Sequence, residues 1–282
     1  MSKKFQSYIS KNHKFRNIIY KKNGYKSVIT INRESKLNCL NLETISELTA
    51  AFKDSSWDDN IAVIILTGAG KRAFSTGADL DEQQKYFLGN PDDYYKWMYE
   101  FIQLHEVMRN TGKPTIARLN GMVVGGGNEL NLSCDLAVAA DHIIIKQVGA
   151  ARGSVAAAGA TQFLPLIVGE RRAREILFLC EDIPVMKALE WGLVNQVVPY
   201  NELDKAVDIL AEKLFNKLPE CLRYTKQQLN FWRDLSWHTT IGNARDWLSI
   251  HNLSKEVSEG ISAFNQKRKI NYKKVRSSKN KN

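Results

Sequence analysis

Apolar residues alternate or run together through the first half of the chain and recur at helical spacing through the second. Residues 17–31, NIIYKKNGYKSVITI, hold two β-rich runs around Asn23-Gly24 and predict a hairpin. Residues 41–59, NLETISELTAAFKDSSWDD, have an acidic start and a helical apolar period, predicting an amphipathic helix. A buried strand follows in IAVIILTG (61–68), then a loop, AGKRAFSTGADL (69–80), and a polar-aromatic helix over 92–111. KPTIARLNG (113–121) predicts a second buried strand, GGGNELNLSCD (125–135) a glycine turn running into a helix, and LAVAAD (136–141) a third strand. From about residue 170 the period is helical: ERRAREILFLC, VMKALEWG, NELDKAVDILAEKLFNKL and later amphipathic stretches. No strand pattern of comparable strength follows residue 200.

Strands joined through helices imply parallel pairing in an α/β layer. The pattern divides the chain into a basic N-terminal extension (1–16), an α/β core (17–200), a C-terminal helical region (201–266) read as an appendage for lids and subunit contacts, and a basic tail (267–282).

Composition narrows the classes. The chain has 282 residues, 44% apolar and 25% charged, as in an ordinary soluble globular protein. Its longest apolar runs, such as Ile61 to Leu66, are strand-sized, so no membrane span is expected. The net charge of +10 is concentrated at the ends: residues 1–26 and 267–282 each hold eight Lys/Arg and no acid, leaving 24 bases against 30 acids between them. Such ends are expected to be solvated tails, with a polyanion or RNA arm as the minority alternative. Cys39, Cys134, Cys180 and Cys221 form no C-x-x-C pair, which argues against zinc or a disulfide framework and for a reducing, cytoplasmic setting. The five His are dispersed, and no metal site is expected.

Two loops share one design: a buried strand, a turn of small residues, then a helix. In STGADL, Gly77 and Ala78 precede the helical stretch; in GMVVGGGNEL, Gly125-Gly126-Gly127 opens the helix that carries Glu129. Amides at a helix N-terminus lack internal partners and carry the positive end of the dipole, so two of them brought together can bind a developing oxyanion. Taken singly, each glycine cluster is equally consistent with a tight packing turn. Neither loop matches a Walker or G-x-G-x-x-G pattern, which disfavours phosphate cradles and nicotinamide. Glu129 is either a simple helix-start acid or a general base beside the donors.

Together, ILTGAGKRAFSTGADL and RLNGMVVGGGNELNLSCDLAVAAD closely resemble the enoyl-CoA hydratase/isomerase (crotonase) superfamily, and the likeness runs from about Ile18 to Tyr272, ending in EGISAFNQKRK. The resemblance implies a crotonase-type spiral of ββα units with a C-terminal helical region, assembled as a homotrimer or hexamer. It implies an acyl-CoA substrate and no separate cofactor, coenzyme A being part of the substrate. By the same resemblance the N–H groups of Ala78 and Gly126 form an oxyanion hole for the thioester carbonyl, and Glu129 is the first of a hydratase's two glutamates. Lys36, Gly77, Asp79, Leu80 and Gly125 fall where the family binds the acyl-CoA, and AFNQKRK where a neighbouring subunit's CoA site receives it.

Hydratases of this family place a second glutamate twenty residues after the first. That position is Gly149 here, in a run from Val148 to Thr161 of which eleven of fourteen residues are Gly, Ala, Ser or Thr. KQVGAARGS and the following GATQFLPL are similar to ring-acting members, above all the 6-oxocyclohex-1-ene-1-carbonyl-CoA hydrolases. Ala150-Ala151 stands where that group shows Pro-Lys, and Arg152 where it shows His. The small residues, with Gly149 and Ser154 shaping the pocket, are expected to admit a cyclic acyl group. The expected activity is hydrolysis of a ring C–C bond of a cyclic oxoacyl- or oxoenoyl-CoA, in aromatic degradation. The alternatives are an enoyl-CoA hydratase acting on a linear or cyclic substrate, and an RNA-binding homologue.

Overall fold

The computed structural model describes residue 9 and residues 13–277. Much of the basic N-terminal extension and the end of the basic tail lie outside the described residues. The predicted hairpin is present, with β1 (Ile18–Asn23) pairing antiparallel to β2 (Lys26–Ile31) from Ile18↔Ile31 to Asn23↔Lys26. Gly24, at φ +58°, provides the turn conformation that side chains resist.

After the hairpin comes α1 (Leu42–Trp57), capped where Asn41 accepts from the Thr44 amide at 2.9 Å. From there the chain repeats one move: a strand into a large sheet, a short strand into a second sheet, and a helix back. The first turn is β3 (Val63–Gly68), β4 (Ala73–Ser75), the short α2 (Leu80–Glu82) and the long α3 (Pro91–Asn110). The second is β5 (Thr115–Leu119), β6 (Met122–Val124) and α4 (Gly126–Ser133). The third is β7 (Leu136–Ala140), β8 (Ile144–Lys146), α5 (Gly149–Arg152), α6 (Ala160–Val168) and α7 (Glu170–Leu179). It closes with β9 (Ile183–Pro184), α8 (Val185–Glu190) and β10 (Gln196–Val198). The large sheet has the order β1-β2-β3-β5-β7-β10, parallel beyond the hairpin, and the small one β4-β6-β8-β9. This is the expected spiral of ββα units.

Every residue of β3 is buried, as befits a parallel strand covered on both faces. The second sheet is not predicted by the sequence pattern, which gives a loop over residues 69–80. Its strands are two or three residues long, too short to show a period. Two buried asparagines hold its entry. The Asn38 side-chain amide donates to the Ala69 and Ala73 carbonyls at 3.0 and 2.7 Å, and that of Asn120 to Gly70 and Ala73 at 2.8 and 3.1 Å.

The remaining helices are α9 (Leu203–Phe215), α10 (Pro219–His251), α11 (Lys255–Asn265) and α12 (Tyr272–Ser277). The appendage reading needs correction, because α10 packs into the common core. Trp237 is fully buried, and the Arg109 guanidinium of α3 lies over the Trp237 and Phe163 rings at 4.6 and 5.2 Å while pairing with Asp234 of α10. Lys226 of α10 pairs with Asp135 at 2.8 Å. Amphipathic period identified these helices but could not say what their apolar faces meet. Among the described residues, no helix is long and apolar enough to cross a membrane.

Candidate functional site: two amides and a buried carboxylate

The loop between β4 and α2 is strapped at both sides of Ala78. The Leu40 amide donates to the Gly77 carbonyl at 2.8 Å, and the Asp79 amide to the Leu40 carbonyl at 3.0 Å. In extended backbone, successive amides point to opposite sides, so the Ala78 N–H faces away from Leu40. Its nitrogen lies close to the start of α4. A Cβ built on Gly126 would lie 3.8 Å from the Ala78 nitrogen and 3.3 Å from the Gly77 Cα. Gly77, at φ +81°, must be glycine: a Cβ there would stand 2.7 Å from the Gly126 nitrogen.

Gly126 opens α4, so its N–H has no partner within the helix. Among the described residues, neither it nor the Ala78 amide donates to a backbone carbonyl. Two such donors side by side can hold a carbonyl oxygen as it gains negative charge.

One turn into α4 stands Glu129, 5% exposed, with Oε1 unpaired. Burial pushes its carboxyl up to about 8, with no charge among the described residues contributing. A group so placed is poised near neutrality, able to take or give a proton.

These residues border one cavity of about 530 Å³, within the range of small-molecule sites. Of the residues singled out from sequence, Lys36, Ala78, Asp79, Leu80, Gly125, Gly126, Glu129, Gly149 and Ser154 line it; Gly77 stands just behind the wall. Lys36 is half-exposed at its edge and pairs with Asp81 at 2.7 Å. Asp79 also has a structural task. It caps α2 by accepting from the Asp81 and Glu82 amides and pairs with Arg33 at 2.8 Å, which holds its carboxyl below the usual range against the opposing effect of burial.

Gly149 borders the cavity as expected of a small residue there, and has a second, structural task. A Cβ at this position would lie 2.9 Å from the Ser154 carbonyl oxygen and 3.1 Å from the Ala156 nitrogen. Its missing side chain lets segment 154–156 fold back against α5, and the space is filled by backbone.

Sequence reasoning missed two walls. Tyr94, Trp97 and Phe101 of α3 line the cavity, as do His251 of α10, Asn252 just past its end, and Phe264 of α11. The aromatic period of α3 was legible, but not that this face meets the cavity. Phe264, in the AFNQKRK stretch expected near a neighbouring subunit's site, borders the cavity of its own chain. Among the described residues, no group of three His, Cys, Asp or Glu is arranged to hold a metal ion.

The family model described as enoyl-CoA hydratase/isomerase matches residues 23–276. The chain belongs to that family. Among the relatives of this enoyl-CoA hydratase/isomerase member is a Geobacter metallireducens 6-oxocyclohex-1-ene-1-carbonyl-CoA hydrolase, 28% identical over 86% of this chain and 76% of that protein. Solved enoyl-CoA hydratases match it too. That of Mycobacterium avium subsp. paratuberculosis has a TM-score of 0.83 and 25% identity, covering 92% of this chain and 99% of that one. That of Bacillus anthracis has a TM-score of 0.74 and 31% identity, with the same coverage. The spiral fold is thus crotonase-type, and the protein is an acyl-CoA enzyme of this superfamily.

Proposed function

We propose that this protein hydrolyses a ring carbon–carbon bond of a cyclic oxoacyl-CoA or of its unsaturated form. The observation that carries the reading is Glu129 itself, a buried carboxyl beside two amides, raised by burial with no other charged group among the described residues shifting it. Similarity to a ring-opening hydrolase supports the same choice.

One carboxylate suffices for this chemistry. Ionised Glu129 takes a proton from water as the water oxygen bonds to the ring ketone carbon, and the C=O pair becomes an alkoxide. The alkoxide re-forms its C=O bond, and the bond from that carbon to the α-carbon breaks. The released pair passes to the thioester oxygen as an enolate, held by the Ala78 and Gly126 N–H groups. Protonated Glu129 then returns its proton to the α-carbon. The product is an open-chain acyl-CoA ending in a new carboxylic acid, which ionises. With an enone substrate, hydration of the double bond comes first.

Enoyl-CoA hydration is the second reading, favoured by 31% identity to the Bacillus anthracis hydratase across nearly the whole chain. It needs a proton for the α-carbon, and a carboxyl raised to about 8 can supply one. Mass spectrometry after incubation with cyclic oxoacyl-CoA and with crotonyl-CoA separates the two. Ring-opened product with slow crotonyl-CoA turnover is expected; rapid crotonyl-CoA hydration and intact cyclic esters would establish the hydratase.

A further inference from the structure

The face of α3 turned toward Glu129 carries a hydroxyl that the ring-opening sequence leaves unused. Tyr94, Trp97 and Phe101 follow one another at helical spacing on one side of α3. The Trp97 ring stacks on Tyr94 at 6.0 Å and 25°, and meets Phe101 at 5.4 Å. Phe101 in turn abuts the start of α4, where a Cβ on Gly126 would lie 3.2 Å from its ring tip. The ladder therefore ties the position of Tyr94 to that of the two amides. Tyr94, Glu129 and Ser154 all border the same cavity. The Tyr94 hydroxyl is near enough to Glu129 to feel its charge, and the Ser154 hydroxyl stands beside it.

We infer that Tyr94, with Ser154 beside it, is a second polar station in the acyl pocket that recognises an oxygen carried by the acyl group itself. The inference rests on the acyl-CoA reading of this site and narrows its substrate class to acyl groups bearing a ketone or hydroxyl. Burial first, and then the Glu129 charge, push the Tyr94 phenol up to about 12, so it keeps its proton at any working pH and serves as a donor. A purely hydrocarbon acyl group expels water from that hydroxyl without replacing its hydrogen bond, and a site built to bond an oxygen rejects the analogue that lacks one. During ring opening the same O–H donates to the ketone oxygen while water adds and the oxygen gains charge; no bond to Tyr94 forms or breaks. The serine was visible in sequence, whereas its phenol partner lies sixty residues earlier and is brought alongside by the fold.

The test is calorimetric binding to Glu129→Gln protein, in which turnover is suppressed, of 2-oxocyclohexanecarbonyl-CoA and of cyclohexanecarbonyl-CoA. The oxo ester should bind roughly tenfold more tightly. Adding Tyr94→Phe should bring the two affinities together by weakening the oxo ester, leaving the deoxy ester as tight or tighter. Ser154→Ala should erode the preference in the same direction, and carries the test alone if circular dichroism shows that the Tyr94→Phe protein does not fold. Equal affinities before any change at Tyr94, or a preference untouched by these variants, would overturn the inference. Failure of the ring-opening reading looks different: the preference and its loss in Tyr94→Phe persist, while the native enzyme yields no ring-opened product.

Discussion

At Glu129, stability favours the protonated carboxyl while catalysis as a base needs the ionised one. Burial raises it from 4.5 to about 8, so between those values the folded chain holds a proton that the unfolded chain has lost. Stability from this group is therefore full below about pH 4.5 and falls as pH rises toward 8. Glu129→Gln should melt several degrees higher than wild type at pH 9, with the gap closing toward pH 5, as scanning calorimetry can follow. The same substitution should lower kcat about a hundredfold or more, since a general base contributes roughly 10²–10⁴. In the wild type, kcat/KM should climb with pH through about 8 as the base ionises. A near-normal rate in Glu129→Gln, or a flat profile from pH 6 to 9, would reduce Glu129 to a helix-start acid.

Helix α4 and the turn before it set the donor geometry, and a single backbone change can probe it. Proline is tolerated in the first turn of a helix, so Gly126→Pro leaves α4 able to form while deleting one N–H. The added ring must also displace Phe101 and Gly77 by some tenths of an ångström. Losing one such donor costs about 3 kcal/mol of transition-state stabilisation, or on the order of a hundredfold in kcat. A folded Gly126→Pro enzyme with native kcat would exclude the amide from the chemistry. The segment around α5 has its own test. Gly149→Ala should lower both melting temperature and acyl-CoA affinity, because even a methyl group meets the backbone of residues 154–156. Unchanged melting and binding would mean that this segment yields freely.

What could be read in the sequence follows the length of each signal. The hairpin, α1, β3 and the two glycine turns each span enough residues to show a period or a motif, and Glu129 follows directly from the second turn. The four strands of the small sheet are too short for either. Tyr94 and Phe264 look like ordinary core aromatics until the fold turns them to the cavity. Gly149 stands out in the sequence for its missing acid, while its geometry also depends on residues five to seven positions later.

Across the whole molecule, much apolar helical surface is left bare. Leu229, Phe231, Trp232 and Leu235 of α10 are exposed, as are Phe178 and Leu179 at the end of α7. Large bare apolar patches mark association surfaces, and the family resemblance implies a trimer or hexamer. Light scattering should return three or six times the 32.1 kDa chain mass. Trp232→Asp should shift the population toward smaller species if α10 is buried between subunits, and a native monomer would show that these faces serve something else.

Ring hydrolysis is tested most directly by oxygen labelling of native enzyme turning over 2-oxocyclohexanecarbonyl-CoA in [18O]water. The mechanism predicts an open-chain product that still carries coenzyme A, with water-derived 18O in its newly formed terminal carboxylate and none introduced by the enzyme at the thioester carbonyl. Free coenzyme A with the ring intact would instead make the protein a thioesterase, and recovery of unopened ester would contradict carbon–carbon cleavage altogether.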